Sequence, residues 1–221
     1  MIPGVALSSE PLLFFFDFVD PGSYLVHELL RREADQGDRR HSAIVYHPLE
    51  LRPPPAPLQN PGAPEWMSMT RGLAETAREL SLPFQQPGFI PWSRKAHELA
   101  LHGREVMAPS GQGALPLYHR LFRAHFEEGR DLGRVDVLVK LAEQEGLDAS
   151  EVHAVLGVDR FSPEVDDLRR QALERGVRGV PTLIRSGSRL EGFPGVAAVR
   201  RFLASVAPEA HRDPPSHGNT T

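Results

Sequence analysis

The chain has 221 residues, with 25 Lys and Arg against 29 Asp and Glu, a net charge of −4, and no cysteine. That balance lacks the electrostatic footprint of a nucleic-acid or anionic-membrane partner. The absent thiols exclude disulfides, thiolate metal sites and thiol catalysis together.

The start, Met1-Ile2-Pro3-Gly4, has neither the basic region nor the apolar stretch of a signal peptide, and no window reaches membrane-spanning length. The cytoplasm is the expected location. Residues 11–19, PLLFFFDFV, put apolar side chains on both faces of an extended strand, as in the centre of a sheet covered by helices on each side. A helix start follows: Asp20 can accept from the first free amides and Pro21 suits the first helical position. Leu25, Val26, Leu29 and Leu30 form its apolar stripe, Glu28, Arg31, Arg32 and Glu33 face away, and Gly37 is the stop. Ala43–His47 reads as a second strand ending at Pro48, which completes a βαβ unit.

Residues 51–64 hold six prolines and predict a loop or polyproline excursion. Helical periodicity then predicts helices over 65–81, 92–108, 114–128, 132–145 and 149–156, the last opened by Asp148 and Glu151 at capping-box spacing. Ser110–Gly113 between them reads as a turn, lacking the lysine of a phosphate loop. Ser162-Pro163-Glu164 predicts a capped helix to about Arg175, Val180–Ile184 a short strand, and Ser186-Gly187-Ser188 a hairpin turn into Arg189–Glu191. Val196–Ala207 reads as a closing helix and 208–221 as a disordered tail. The fold class is α/β: a small mixed sheet flanked by helices. Residues 11–50 and 158–207 form one thioredoxin-like domain, interrupted by an all-helical insertion over 51–157.

The stretches FFFDFVDPGSYL, YHPLEL, AHELALHG, LYHRLFRAHFEEGRDLGRVDVLVKLAEQEGLD and GVRGVPTLI carry a family likeness. Over roughly residues 11 to 205 the chain resembles DsbA-like thioredoxin-fold proteins, which include FrnE-like oxidoreductases, 2-hydroxychromene-2-carboxylate isomerases and kappa-class glutathione transferases. In the oxidoreductases the first strand-to-helix junction carries Cys-x-x-Cys, its first sulfur at the positive end of the helix dipole. In the isomerase and transferase branch a serine at the first place bonds the glutathione sulfur. This sequence places Asp20 first and Ser23 second, so dithiol exchange is chemically impossible. A carboxylate at the sulfur site would repel a thiolate.

Val180-Pro181 resembles the family's cis-proline loop, whose exposed edge pairs with a peptide or with glutathione's backbone. Isomerase-like members follow the last strand with Trp-Gly-x-Asp-Arg; here the stretch is Leu190-Glu191-Gly192-Phe193-Pro194-Gly195, with proline in place of the aspartate. An insertion helix that starts with asparagine in relatives starts here with Pro91-Trp92-Ser93-Arg94-Lys95.

The resemblance implies Asp20 and Ser23 as catalytic or substrate-positioning groups, and Pro21, Gly22, Val180, Pro181 and Thr182 as ligand-binding. Asp20 also reads simply as a helix N-cap, ionised and with a depressed pKa. His97 and His102 lie at i and i+5, diverge on a helix, and predict no metal site. Trp66, Phe89 and Trp92 read either as core or as cleft walls. Arg94 and Lys95 read as solvated surface or as contacts to an anionic ligand. The expected function is a cysteine-free, isomerase- or transferase-like binder of a small molecule or thiol ligand. Glutathione is the implied cofactor and a homodimer the implied assembly. The competing reading is a non-catalytic module that captures an extended peptide along the Val180 edge.

Overall fold

β1 (Leu12–Phe16) alternates sides residue by residue, as an extended chain must. Leu12, Phe14 and Phe16 join the main core, while Leu13 and Phe15 meet Leu49, Ala172 and Val177 on the other face. Both faces are therefore covered, as the unbroken apolar run predicts. Each such ring withdrawn from water contributes roughly 2–3 kcal/mol.

The computed structural model describes residues 10–35, 44–109 and 113–205. The sequence expectations for the leading residues, the Gly37 stop, Ala43, Ser110–Gln112 and the tail lie outside them. After β1 the order is α1 (Pro21–Asp35), β2 (Ile44–Pro48), α2 (Pro64–Glu79), α3 (Arg94–Met107), α4 (Leu115–Phe126), α5 (Val135–Gln144), α6 (Ala149–Gly157), α7 (Ser162–Glu174), β3 (Thr182–Arg185), β4 (Ser188–Glu191) and α8 (Val196–Ser205). Among the described residues no helix is long and apolar enough to cross a membrane.

The sheet order is β2-β1-β3-β4; β1 runs parallel to β2, and β3 is antiparallel to both β1 and β4. The β3–β4 hairpin turns through Ser186 (φ 48°) and Gly187 (φ 76°), the two left-handed residues that match strand twist. Helices α1, α4 and α8 pack in the main core, and α7 supplies Ala172 to the opposite face. Leu101 of α3, Val155 of α6, Phe161 just before α7 and Val165 within it form a third cluster that ties α3 and α6 to α7.

The predicted cap at Asp148 is present, its carboxylate accepting from the Glu151 N–H at 2.8 Å. Two local expectations fail. The Ser162 hydroxyl does not cap α7 but accepts from Arg94 Nη1 at 2.7 Å, because the guanidinium is the stronger donor at that junction. Glu28, assigned by periodicity to the solvent face, is 1% exposed because α4 covers that side of α1.

Candidate functional site

β1 delivers the chain into a turn that holds two carboxyl groups three residues apart. Asp17 is 2% exposed. Its Oδ1 lies 3.2 Å from His97 Nε2 on α3, and its Oδ2 accepts from the Leu51 N–H at 3.0 Å. Burial pushes the Asp17 pKa up, but the hydrogen bond and charge of His97, with the Leu51 amide and the Ser93 hydroxyl, outweigh it and hold Asp17 below its usual value. Asp17 is therefore an ionised anchor joining β1, the loop after β2 and α3. Its signal in the sequence is a lone acid inside an aromatic run; its partner, 80 residues on, has none.

Asp20 does cap α1. Its Oδ2 accepts from the Ser23 N–H at 2.6 Å and its carbonyl from the Tyr24 N–H at 3.2 Å. The expected depressed pKa is not found: burial, with the charge of Asp17, outweighs the Ser23 hydrogen bonds and raises Asp20 to about 7. The magnitudes explain the outcome. A helix terminus stabilises an anion by about 0.3–1 kcal/mol, less than one pKa unit, whereas loss of water shifts carboxyls by several units.

The Asp20 side chain is half-buried and lines a cleft of about 460 Å³, counting the space open at its mouth. Val19, Leu51, Leu58, Trp66, Ile90 and Trp92 make the remaining walls largely apolar. Trp92 is fixed by its Nε1–H, which donates to the Ala56 carbonyl at 3.1 Å. Trp66 Nε1 is buried and has no acceptor among the described residues. Such an unpaired buried donor is destabilising by about 1–3 kcal/mol unless a ligand or water takes it up. Phe89, half exposed, extends the apolar wall beyond Trp92 into an adjoining groove.

The other expected site residues are placed differently. Pro21, Gly22 and Ser23 are buried and do not line the cleft. Ser23 is fully buried: its hydroxyl accepts from the Asp17 backbone N–H at 3.4 Å, its own N–H holds the Asp20 carboxyl, and it offers no surface to a ligand. The Val180–Pro181 bond is cis, and Pro181 lies behind the helix start, outside the cleft. Gly22 sets that contact: a β-carbon there would lie 2.9 Å from Pro181 Cδ, 3.3 Å from Asp20 Oδ2 and 3.4 Å from Phe193 Cβ. The two segments do meet, but the pyrrolidine ring fills the space between them. Thr182 is buried, its hydroxyl donating to the Gly179 carbonyl at 2.8 Å. Val180 remains half-buried at the edge.

Gly22→Ala should destabilise the protein by about 1–3 kcal/mol and displace Asp20, read as a lower urea midpoint with an altered pH dependence. An unchanged midpoint would show that the proline ring is not held in place.

Arg94 and Lys95 are not free for an anionic ligand. Arg94 binds Glu50 Oε2 at 2.6 Å and Asp166 Oδ1 at 2.7 Å, while Lys95 is paired with Asp159 and, at 3.2 Å, with Glu98. His97 and His102 serve separate surroundings, as their spacing predicts: His97 meets Asp17, and His102 packs near Phe161. Away from the cleft, His27, Glu28 and His119 converge between α1 and α4, a grouping with no sequence spacing to announce it.

The chain is similar to several solved structures. A probable DsbA oxidoreductase from Streptomyces coelicolor shares 22% identity, with a TM-score of 0.73 over 89% of each chain. A 2-hydroxychromene-2-carboxylate isomerase shares 20% identity, with a TM-score of 0.73 over 89% of this chain and 96% of that one. The cytosolic disulfide reductase DsbM of Pseudomonas aeruginosa shares 20%, with a TM-score of 0.62 over 89% and 98%. Among curated proteins, the uncharacterized YwbO of Bacillus subtilis is 35% identical over 81 residues, a stretch covering 34% of this chain and 38% of that relative. Residues 12–206 match the DSBA-like thioredoxin domain, and although its helix start carries no cysteine the chain belongs to that family.

Proposed function

We propose that the cleft binds a small, largely apolar molecule and that Asp20 moves a proton on it, in chemistry of the isomerase kind with no redox step. The observation that carries this reading is a half-buried carboxyl, Asp20, on the wall of a largely apolar cleft, three residues from the fully buried carboxyl of Asp17. Asp17 stays ionised, while Asp20, raised to about 7, faces the apolar wall. Environments that push two titratable groups apart produce one fixed charge and one group able to give and take a proton near neutral pH. An isomerisation needs that second group: a proton leaves one ligand atom for Asp20 and returns to another. The Trp66 and Trp92 rings supply apolar surface for such a ligand.

A thiol group could approach Asp20 in the same cleft, with Arg52 as the one cation among the described residues of its wall for an anionic ligand. Protonated Asp20 no longer repels a sulfur anion and can donate to it, which reverses the electrostatic objection raised by an ionised acid. A second reading, capture of an extended peptide, is supported by Val180: it precedes Thr182, the first paired residue of β3, so its peptide groups lie outside the ladder.

Fluorescence tests these readings directly, because Trp66 and Trp92 are the chain's two tryptophans and both line the cleft. Titration with 1-naphthol, glutathione and S-hexylglutathione should give a saturable emission change with at least one of them. The change should follow the protonation of Asp20 and lose its pH dependence in Asp20→Asn. A flat response to all three removes the small-molecule reading and leaves the peptide edge.

A further inference from the structure

His27 and Glu28 are neighbours on α1, and His119 faces them from α4. His27 Nε2 lies 3.3 Å from His119 Nδ1, and Glu28 Oε1 lies 3.0 Å from the same nitrogen. One donor atom from each residue falls within 4.8 Å of the others. Nitrogen and oxygen ligands held at about 2.0–2.2 Å around a tetrahedral ion are themselves about 3.4 Å apart, so both measured edges are close to what an ion requires.

Burial and the surrounding contacts strengthen the assignment. His27 is 2% and Glu28 1% exposed, while the His119 side chain, 28% exposed, opens the cluster to solvent. Glu28 Oε1 is buried and makes no hydrogen bond among the described residues, although His119 Nδ1 is near. The remaining atoms of the two buried ligands are already occupied. Tyr46 Oη lies 3.3 Å from His27 Nδ1, and Arg31 Nη2 donates to Glu28 Oε2 at 3.2 Å. Contacts of this kind fix the ring orientation and leave Nε2 and Oε1 turned inward, as the outer partners of a metal site do. A hydrogen-bonded pair of core histidines is the plainer explanation. It accounts for the contact between the rings, but the single His119 Nδ1 cannot donate to both His27 Nε2 and Glu28 Oε1, so one of these two buried atoms is left facing it without a good hydrogen bond.

We propose that His27 Nε2, Glu28 Oε1 and His119 Nδ1 form a three-ligand site for a divalent ion of the zinc class, with water in the remaining position on the His119 side. Two imidazoles and one carboxylate suit zinc and its neighbours better than magnesium or calcium, which favour all-oxygen shells. The ion would join α1, next to the sheet, to α4 of the inserted helices, so binding should stabilise the fold. This assignment is independent of the cleft.

The test uses the full chain, stripped with a chelator and titrated calorimetrically with zinc. Thermal melting and the visible absorption of the cobalt-loaded protein are followed in parallel. Wild type should bind one equivalent that raises the melting temperature and gives the intense bands of four-coordinate cobalt. His119→Ala removes a partner of the buried Glu28 and should lower the metal-free melting temperature, but it should also weaken that equivalent by more than about 100-fold, beyond the loss typical of an outer-shell change, and abolish the zinc-dependent rise in melting temperature. Glu28→Gln should weaken it too, whereas His153→Ala, at an exposed histidine elsewhere, should leave it unchanged. Equal zinc binding by wild type and His119→Ala would overturn the assignment. So would zinc binding without a rise in melting temperature, or no binding at all.

Discussion

Asp20→Asn should be more stable than wild type at pH 8 and no more stable at pH 4. The folded protein holds the Asp20 proton up to about pH 7, the unfolded chain only to about 3.8. Below the lower value both states are protonated and the group contributes no difference. Between the two values the unfolded state has released the proton while the fold retains it, so stability falls as pH rises. Above about 7 the fold carries an ionised, half-buried carboxylate and the loss is complete.

A shift of that size corresponds to ~4 kcal/mol; solvent reaching Asp20 through the cleft reduces the expectation to about 2 kcal/mol. Asparagine caps a helix about as well as aspartate, so the substitution removes the titration while keeping the Ser23 N–H partnered. The other charged residues that line the cleft, Asp17 and Arg52, are unaltered in the comparison. Melting temperature against pH is the measurement, with an expected gain of roughly 4–8 °C at pH 8. An identical difference at pH 4 and pH 8 would show that Asp20 does not titrate in this range, and the proton-transfer reading of the cleft would fall with it.

Removing His97 should be more damaging than any substitution at Asp20. His97→Ala leaves the Asp17 carboxylate buried with backbone and Ser93 contacts alone, and breaking a buried pair by deleting one partner is destabilising by about 3–5 kcal/mol. It also leaves a void beside Phe18, whose ring centre lies 5.2 Å from that of the imidazole. The charge contribution can be separated from the void. Adding Asp17→Asn to His97→Ala removes the stranded charge and should restore part of the loss, measured by urea unfolding. The deficit of His97→Ala should also shrink at acid pH. Asp17's folded pKa lies below its unfolded value, so its stabilisation is present above about 3.8 and disappears as pH falls through the folded value. If the double variant is no more stable than His97→Ala, Asp17 is not the buried anion described here.

These two groups also show how much of the site was legible before the structure. The cap at Asp20 was readable because it depends on the next few residues: an acid, a proline at the first helical position and a following amide. The protonation state was not. It depends on burial in the folded chain, where Asp20 shares a cleft with Leu51, Trp66 and Trp92 from segments far along the sequence. For Ser23 the sequence leaves a ligand contact and a bond at the helix start both open, since one turn of helix gives its position but not the burial that encloses it.

The sequence alone determined that the chain cannot do dithiol chemistry, since no residue supplies a sulfur nucleophile. It also determined a strand apolar on both faces, a capped first helix, a long helical stretch between the second and third strands, and a mixed sheet. Those are local periodicities and residue inventories, written in neighbouring positions. Tertiary structure decided the rest. It brought Asp17 to His97, set the Pro181 ring against Gly22, raised Asp20, and gathered His27, Glu28 and His119 from two helices. Proximity and loss of water are properties of the folded surroundings, and residues 80 or more apart carry no spacing that could announce them.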